Sequence, residues 1–240
     1  MKREKGAAVT GSAADFIPPR PTLSKLRTAA AGCRGCDLWL DATQTVFGEG
    51  AARASVMFVG EQPGDQEDRA GRPFVGPAGR LFDEALGAAG IDRGVVYVTN
   101  AVKHFKFVRT ELVKRRLHKK PNAAQVRACN PWLREEIRLV KPKLVVALGS
   151  TAAQALLGSA FRVTQHRGKV VVSGWAGPVL ATVHPSSVLR APDEYRADAR
   201  REFFEDVARV ARYLQAAPAA TPPSPPRPRS TTRSTRRPRA

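Results

Sequence analysis

The chain has 240 residues, 42% hydrophobic and 25% charged, with 40 Lys and Arg against 21 Asp and Glu. That composition belongs to a globular protein and excludes fibrous and wholly disordered classes. The formal net charge is +19; the last 25 residues contribute six Arg and no acid, which leaves +13 on the first 215. A surplus of this size on the folded part favours a polyanionic partner through Coulomb attraction and counterion release, nucleic acid foremost.

Residues 1–24 are polar and Pro-containing, and residues 216–240 are a Pro/Ser/Thr/Arg tract too poor in apolar surface to offset ordering entropy. Both ends are expected to be flexible, flanking one domain over residues 25–215. The longest apolar run, 144–148, is far too short to cross a bilayer, and the N-terminus has charges but no apolar stretch, which argues against a membrane or secreted protein and for a cytoplasmic, nucleoid-associated one. Three Cys in such a chain argue against a disulfide framework and leave metal binding, reactivity or packing.

Short Val-rich runs recur at 55–60, 95–99, 144–149 and 179–183 and read as strands buried on both faces. Stretches of helical periodicity at 77–89, 123–140, 151–157 and 193–214 alternate with them, and a further strand is expected at 169–172. The alternation predicts an α/β fold: a single-domain, three-layer αβα sandwich around a central parallel sheet. Polar residues follow each strand, with Glu61 after the first, Asn100 after the second, Gly149 and Ser150 after the third and His184 after the fourth. Ligand crevices of open parallel sheets lie at the carboxyl ends of the strands, so Glu61, Asn100 and His184 are expected to converge although scattered along the chain. A carboxylate, a carboxamide and an imidazole in one crevice can polarise a substrate, read a hydrogen-bonding edge and stabilise a leaving anion.

Four ordered motifs carry a resemblance. Gly60-Glu61-Gln62-Pro63-Gly64-Asp65-Gln66-Glu67-Asp68, Pro73-Phe74-Val75-Gly76-Pro77-Ala78-Gly79, Thr99-Asn100-Ala101-Val102-Lys103 and His184-Pro185-Ser186-Ser187 closely resemble the iron-sulfur uracil-DNA glycosylases, over roughly residues 25–212. The resemblance implies flipping of deoxyuridine from DNA and cleavage between uracil N1 and sugar C1′. It assigns Phe74 to stacking on the base, Asn100 to reading its edge, His184 to the departing O2 and Glu61 to the sugar cation, with Gly60, Gln62 and Asp65 also at the substrate and Ser186 on DNA. An Asn amide donating to O4 and accepting from N3-H matches uracil and mismatches cytosine, whose polarity is reversed.

Residues 101–120 hold eight basic residues against one acid, Glu111, and are expected to form a phosphate-binding loop. Within them Lys114-Arg115-Arg116-Leu117-His118-Lys119 resembles the signature loop of the X-type uracil-DNA glycosylases. That resemblance implies that His118 becomes covalently attached to the abasic sugar, with Lys114, Arg115, Arg116 and Lys119 on the DNA; the residues alone make His118 only a candidate phosphate contact.

Cys33 and Cys36 form a two-residue-spaced pair, and Cys129 lies in a predicted helix. Related glycosylases carry their remaining Cys where this chain has His104. The resemblance thus implies a 4Fe-4S cluster on Cys33, Cys36, His104 and Cys129, while three Cys and one His also suit structural zinc. The expected partner is uracil-containing DNA, bound by a monomer.

Overall fold

The computed structural model describes residues 11–110 and 113–216. In chain order its helices and strands begin with α1 (Leu23–Ala30), β1 (Glu49–Gly50), β2 (Val56–Gly60), α2 (Asp65–Ala70), α3 (Pro77–Ala88) and β3 (Tyr97–Asn100). A hairpin of β4 (Phe107–Thr110) and β5 (Val113–His118) follows, then α4 (Ala123–Val140), β6 (Leu144–Leu148), α5 (Ser150–Leu157) and the single turn α6 (Val163–His166). The chain continues through β7 (Val170–Ser173), β8 (Gly177–Thr182), α7 (Pro185–Leu189) and the long α8 (Asp193–Ala216).

Six strands form one sheet in the order β1-β3-β2-β6-β8-β7. The four central strands are parallel, as the buried Val-rich runs predict, whereas the edge strands β1 and β7 run antiparallel to β3 and β8. The sheet is therefore mostly rather than wholly parallel. At one edge β7 reaches β8 through a short turn, without the crossover helix that parallel pairing demands.

Side-chain alternation along β2 divides the core. Val56 and Phe58 pack with Phe82, Leu86, Phe203 and Val207 from α3 and α8 on one face. Met57 and Val59 pack with Leu133, Ile137 and Leu156 from α4 and α5 on the other. Helices thus cover both faces, giving the expected three layers, and each such fully buried Leu or Phe contributes roughly 1.5–3 kcal/mol by leaving water.

A third cluster, off the sheet, joins Ala13, Leu26 and Ala30 to Cys33, Cys36, Cys129 and Trp132. Residues 11–24, expected to be flexible, are here part of the fold: a 3-10 turn at Ala13–Phe16 packs on α4, and the expected domain boundary falls inside α1. Ala13, small and 1% exposed, is what lets that segment approach the helix. Residues 1–10 and the tract from 217 onward lie outside the described residues.

Candidate active site

Strand order reverses about β2: the chain proceeds outward to β3, then returns to β6 on the other side, with α3 and α4 on opposite faces. The crevice outside the carboxyl ends of β2 and β6 is the place such a sheet offers a ligand. A cavity of about 450 Å³ opens there, lined among others by Glu61, Phe74, Asn100, His118 and His184. Residues separated by more than 120 positions in sequence meet because each follows a strand whose register fixes where it ends. Asn100 is opposite Gly60 in the ladder, and Ala101 N donates to Gly60 O at 2.9 Å.

Gly60 forms part of the wall. A Cβ there would come within 2.3 Å of Asn100 Oδ1 and 2.9 Å of Phe74 Cζ, so any side chain would displace the two residues assigned to the base. Phe74 itself has φ +58, a backbone conformation that L residues seldom adopt. It is held by Glu67, whose carboxylate accepts from Gly64 N at 3.0 Å and Gly76 N at 2.7 Å, and by Gly79, where a Cβ would strike Phe74 O. The Phe74 ring lies at 28° to that of His184, with centroids 6.2 Å apart.

His184 is the N-cap of α7. Its Nδ1 accepts from Ser186 N at 3.1 Å and lies 2.8 Å from Ser186 Oγ, which leaves the proton of the neutral ring on Nε2. Burial lowers its pKa to about 4; Arg190 and His118 act in the same direction and Glu61 in the opposite one. The ring is therefore a neutral hydrogen-bond donor at physiological pH. Ser186, expected on DNA, locks this tautomer and lines the cavity.

Glu61 is one-fifth exposed and receives Thr151 Oγ1 on Oε2, while His118 Nε2 lies 3.2 Å from Oε1. Burial alone would raise its pKa; hydrogen bonds from His118 and Thr151 and the two nearby imidazoles outweigh it and hold the carboxyl below its ordinary value. A carboxylate anion thus stands in the cavity with an imidazole on its open side. Thr151, at the start of α5, has no motif around it that marks it as a partner of Glu61; only the adjacency of β2 and β6 brings the two together. Val163 and Thr164 of α6 and Arg190 also line the cavity and were equally unmarked.

The basic segment is a β-hairpin rather than a loop, and its cations differ in availability. Lys103 is fully buried. Arg116, expected on DNA, is buried against the protein: Nε reaches Asp65 Oδ1, Nη1 lies 2.5 Å from Asp68 Oδ2, and the guanidinium lies over the rings of Phe105 and Phe107. Asp65, expected at the substrate, serves as that anchor and also pairs with Arg69; it does not line the cavity. Gln62 lines the cavity, but its side chain clamps the hairpin base, donating to Lys106 O and Lys119 O and accepting from Lys106 N. Arg115 and Lys119 are exposed, and the side chain of Lys114 lies outside those described. His118, half-exposed as the last residue of β5, is delivered to Glu61 by these ties.

The cysteine cluster lies apart from the cavity. Cys33, Cys36 and Cys129 are free and buried. Burial pushes Cys36 up to about 11 and Cys129 up to about 12, with the neighbouring thiols adding to both. Trp132 Nε1 points at Cys33 Sγ at 3.3 Å and Lys103 N at Cys129 Sγ at 3.2 Å, donors of the kind that surround sulfur ligands. His104 is buried and its pKa is lowered to about 4, chiefly by burial, against the pull of Asp68. Its Nε2 lies 2.8 Å from Thr45 Oγ1, and that hydroxyl donates to Ala30 O, so Thr45 accepts from His104 Nε2-H and the ring's lone pair is on Nδ1. Three thiols and a neutral imidazole with a free nitrogen fit a four-ligand group in kind, although no three His, Cys, Asp or Glu among the described residues already stand in metal-binding geometry.

The profile of the uracil-DNA glycosylase superfamily matches residues 47–208. The chain belongs to that superfamily. It is 37% identical over 193 residues to a type-4 uracil-DNA glycosylase of Pyrobaculum aerophilum, covering 78% of this chain and 91% of that protein. It is 35% identical over 186 residues to the type-4 enzyme of Thermotoga maritima, with 76% and 90% covered. A type-5 uracil-DNA glycosylase of Pyrobaculum aerophilum matches at 35% over 185 residues, with 69% and 76% covered. Membership of the superfamily accords with the cavity: Glu61, Phe74, Asn100 and His184 are the residues that β2, the loop before α3, β3 and the start of α7 carry into it. Among the described residues no helix is long and apolar enough to cross a membrane.

Proposed function

We propose that this protein is a DNA-repair uracil-DNA glycosylase of the X type, which excises uracil from DNA and retains the abasic sugar on His118. The observation that carries the covalent step is the 3.2 Å approach of His118 Nε2 to Glu61 Oε1 at the open side of the cavity. With the flipped base between Phe74 and the sheet, Asn100 reads O4 and N3-H, and His184 Nε2-H donates to O2. As the N1–C1′ bond breaks, its electron pair leaves with uracil and the Glu61 carboxylate stabilises the sugar cation. An imidazole nitrogen of His118 then bonds to C1′ and releases its proton to Glu61, which completes the balance with neutral imidazole as nucleophile. The exposed Arg115 and Lys119 supply phosphate contacts, and the Arg tract beyond residue 216 adds salt-sensitive affinity.

Cys33, Cys36, His104 and Cys129 would hold a 4Fe-4S cluster, zinc being the alternative, in a monomer acting in the cytoplasm on the nucleoid. When bound, such a group ties the N-terminal segment to α4 and supplies no redox step to the cleavage. Visible absorbance and iron content of protein purified without air separate the two metals.

A second reading is favoured by the type-4 relatives: uracil excision with water, not His118, capturing C1′. Labelled uracil-DNA mixed with excess protein, boiled in denaturant and run on a gel decides between them. A retained complex is expected, with no complex from the thymine control. Free abasic DNA alone would establish the hydrolytic reading, and no uracil release at all would reject both.

A further inference from the structure

Behind the base-reading residue lies an ion pair that the chemistry above does not use. Lys103 and Glu136 side chains are both 0% exposed, with Nζ 2.5 Å from Oε2. The remaining protons of the ammonium go to Thr99 Oγ1 at 2.6 Å and to the main-chain carbonyl of Asn100 at 2.8 Å. Glu136, reaching down from α4, also accepts from Tyr97 OH at 3.0 Å, from Thr99 Oγ1 at 3.0 Å and from Gly48 N at 3.1 Å. Every polar atom of the pair is thus satisfied, and three of its partners belong to the four-residue strand that ends in Asn100.

The strand needs such support at that end. Its outer neighbour β1 is two residues long and pairs only with Tyr97 and Val98, so the ladder gives the Asn100 carbonyl no partner on that side. An unpaired buried carbonyl is costly, and without a donor on that side only the bond from Ala101 N to Gly60 O would hold the peptide against turning. Rotation about that peptide swings the Asn100 side chain, whose amide is aimed into the cavity and makes no hydrogen bond of its own among the described residues. A full charge pair is an expensive way to satisfy one carbonyl in a protein interior, where apolar replacements of equal volume often serve stability as well. Its use here is directional.

We propose that the Lys103–Glu136 pair is the positioning device that aims Asn100 at the base, so that discrimination for uracil is set from α4 through a buried ammonium. This rests on Asn100 being the base reader. Lys103 acts through Asn100 and touches neither base nor sugar.

Single substitution would strand a buried charge and endanger folding, so the test uses the neutral double variant K103M/E136Q, whose glutamine keeps an acceptor for Tyr97, Thr99 and Gly48. The measurements are single-turnover excision from uracil-DNA, inhibition by free uracil and affinity for undamaged DNA, in the parent and in the N100A background, with near-UV circular dichroism to establish folding. In the parent, excision should slow by roughly 10- to 100-fold and free uracil bind about tenfold more weakly, with undamaged DNA bound unchanged. In the N100A background the double substitution should add nothing, because both changes remove one function. A folded double variant that excises and binds uracil like the parent overturns the proposal, as does a full additional loss on top of N100A, which marks general structural damage. Unchanged uracil binding in N100A alone overturns the reading of Asn100 itself, and with it the role of Lys103.

Discussion

The two walls of the cavity are held by different kinds of force. On the sheet side, Asn100 and Glu61 take their places from parallel ladders whose registers are fixed by burial on both faces, where a slip of one residue would turn apolar side chains from one layer to the other. On the open side, His118 sits at the end of a two-stranded hairpin that, among the described residues, pairs with no strand of the main sheet and is tied down through side chains, with Gln62 and Gln125 at its base and Arg116 between Asp65 and Asp68. The backbone of the first wall is anchored in the core. The second is open to single substitutions, so under the proposed mechanism excision and capture of the sugar should be separable.

The largest expected effect is on capture. His118→Ser should abolish the boiled-stable adduct and leave uracil release measurable, because Asn100, Phe74, His184 and Glu61 remain; the abasic product should then be cleaved by alkali. It should also shift the acid limb of the excision profile. The imidazole lowers the Glu61 pKa, so its removal raises it, and activity should be lost at higher pH as acidity increases. An adduct surviving in this variant would place the nucleophile elsewhere.

Next, Glu61→Gln should slow single-turnover excision by about 10²–10³-fold, the range for removing one electrostatic contact to a transition state, without weakening binding to undamaged DNA. Equal losses in binding and rate would show that Glu61 holds the fold of the crevice and not the cation.

Arg116→Met sharpens the contrast between the walls. It removes the charge that compensates the buried Asp68 carboxylate, a change that costs about 3 kcal/mol when a buried pair loses one partner, read from the denaturant midpoint. Adduct yield should fall several-fold while uracil release in the folded protein stays within about twofold. If the two fall together, the hairpin and the sheet wall are one mechanical unit.

The smallest effect is expected from deleting residues 217–240. Excision at low salt should be unchanged, and only the slope of DNA affinity against salt should decrease, since the six Arg there add counterion release and no base contact. A loss of excision at low salt would make the tract part of the site.

Much of the architecture was legible because buried strands announce themselves: the runs at 55–60 and 144–149 became β2 and β6, and the helical stretch 123–140 became α4 to the residue. The two-residue β1 carries too few residues for any periodicity, and α7 is too short for a turn of apolar repeat. The basic segment hid its strands because the alternation in Lys114 to His118 is among charged residues, where hydrophobic period has nothing to report. Glu61, Asn100 and His184 reached one cavity as expected, since position after a strand is a local property, and Phe74 joins them from the loop before α3. Thr151, Arg190 and the clamp role of Gln62 were not readable, as each depends on a neighbour far along the chain.

The sequence by itself determined the sandwich, the strand-end crevice and a surplus of positive charge, because burial pattern and formal charge belong to residues taken in order. Which cations face solvent was decided only in three dimensions. Within 18 positions of one another, Lys103 is enclosed against Glu136, Arg116 is bound between Asp65 and Asp68, and Arg115, Lys119 and Lys120 stand in solvent. Composition counts all five alike. Desolvation separates them, since a charge leaves water only where the fold supplies an opposite charge and hydrogen bonds to receive it, and that supply comes from α2 and α4, distant in sequence and adjacent only after folding.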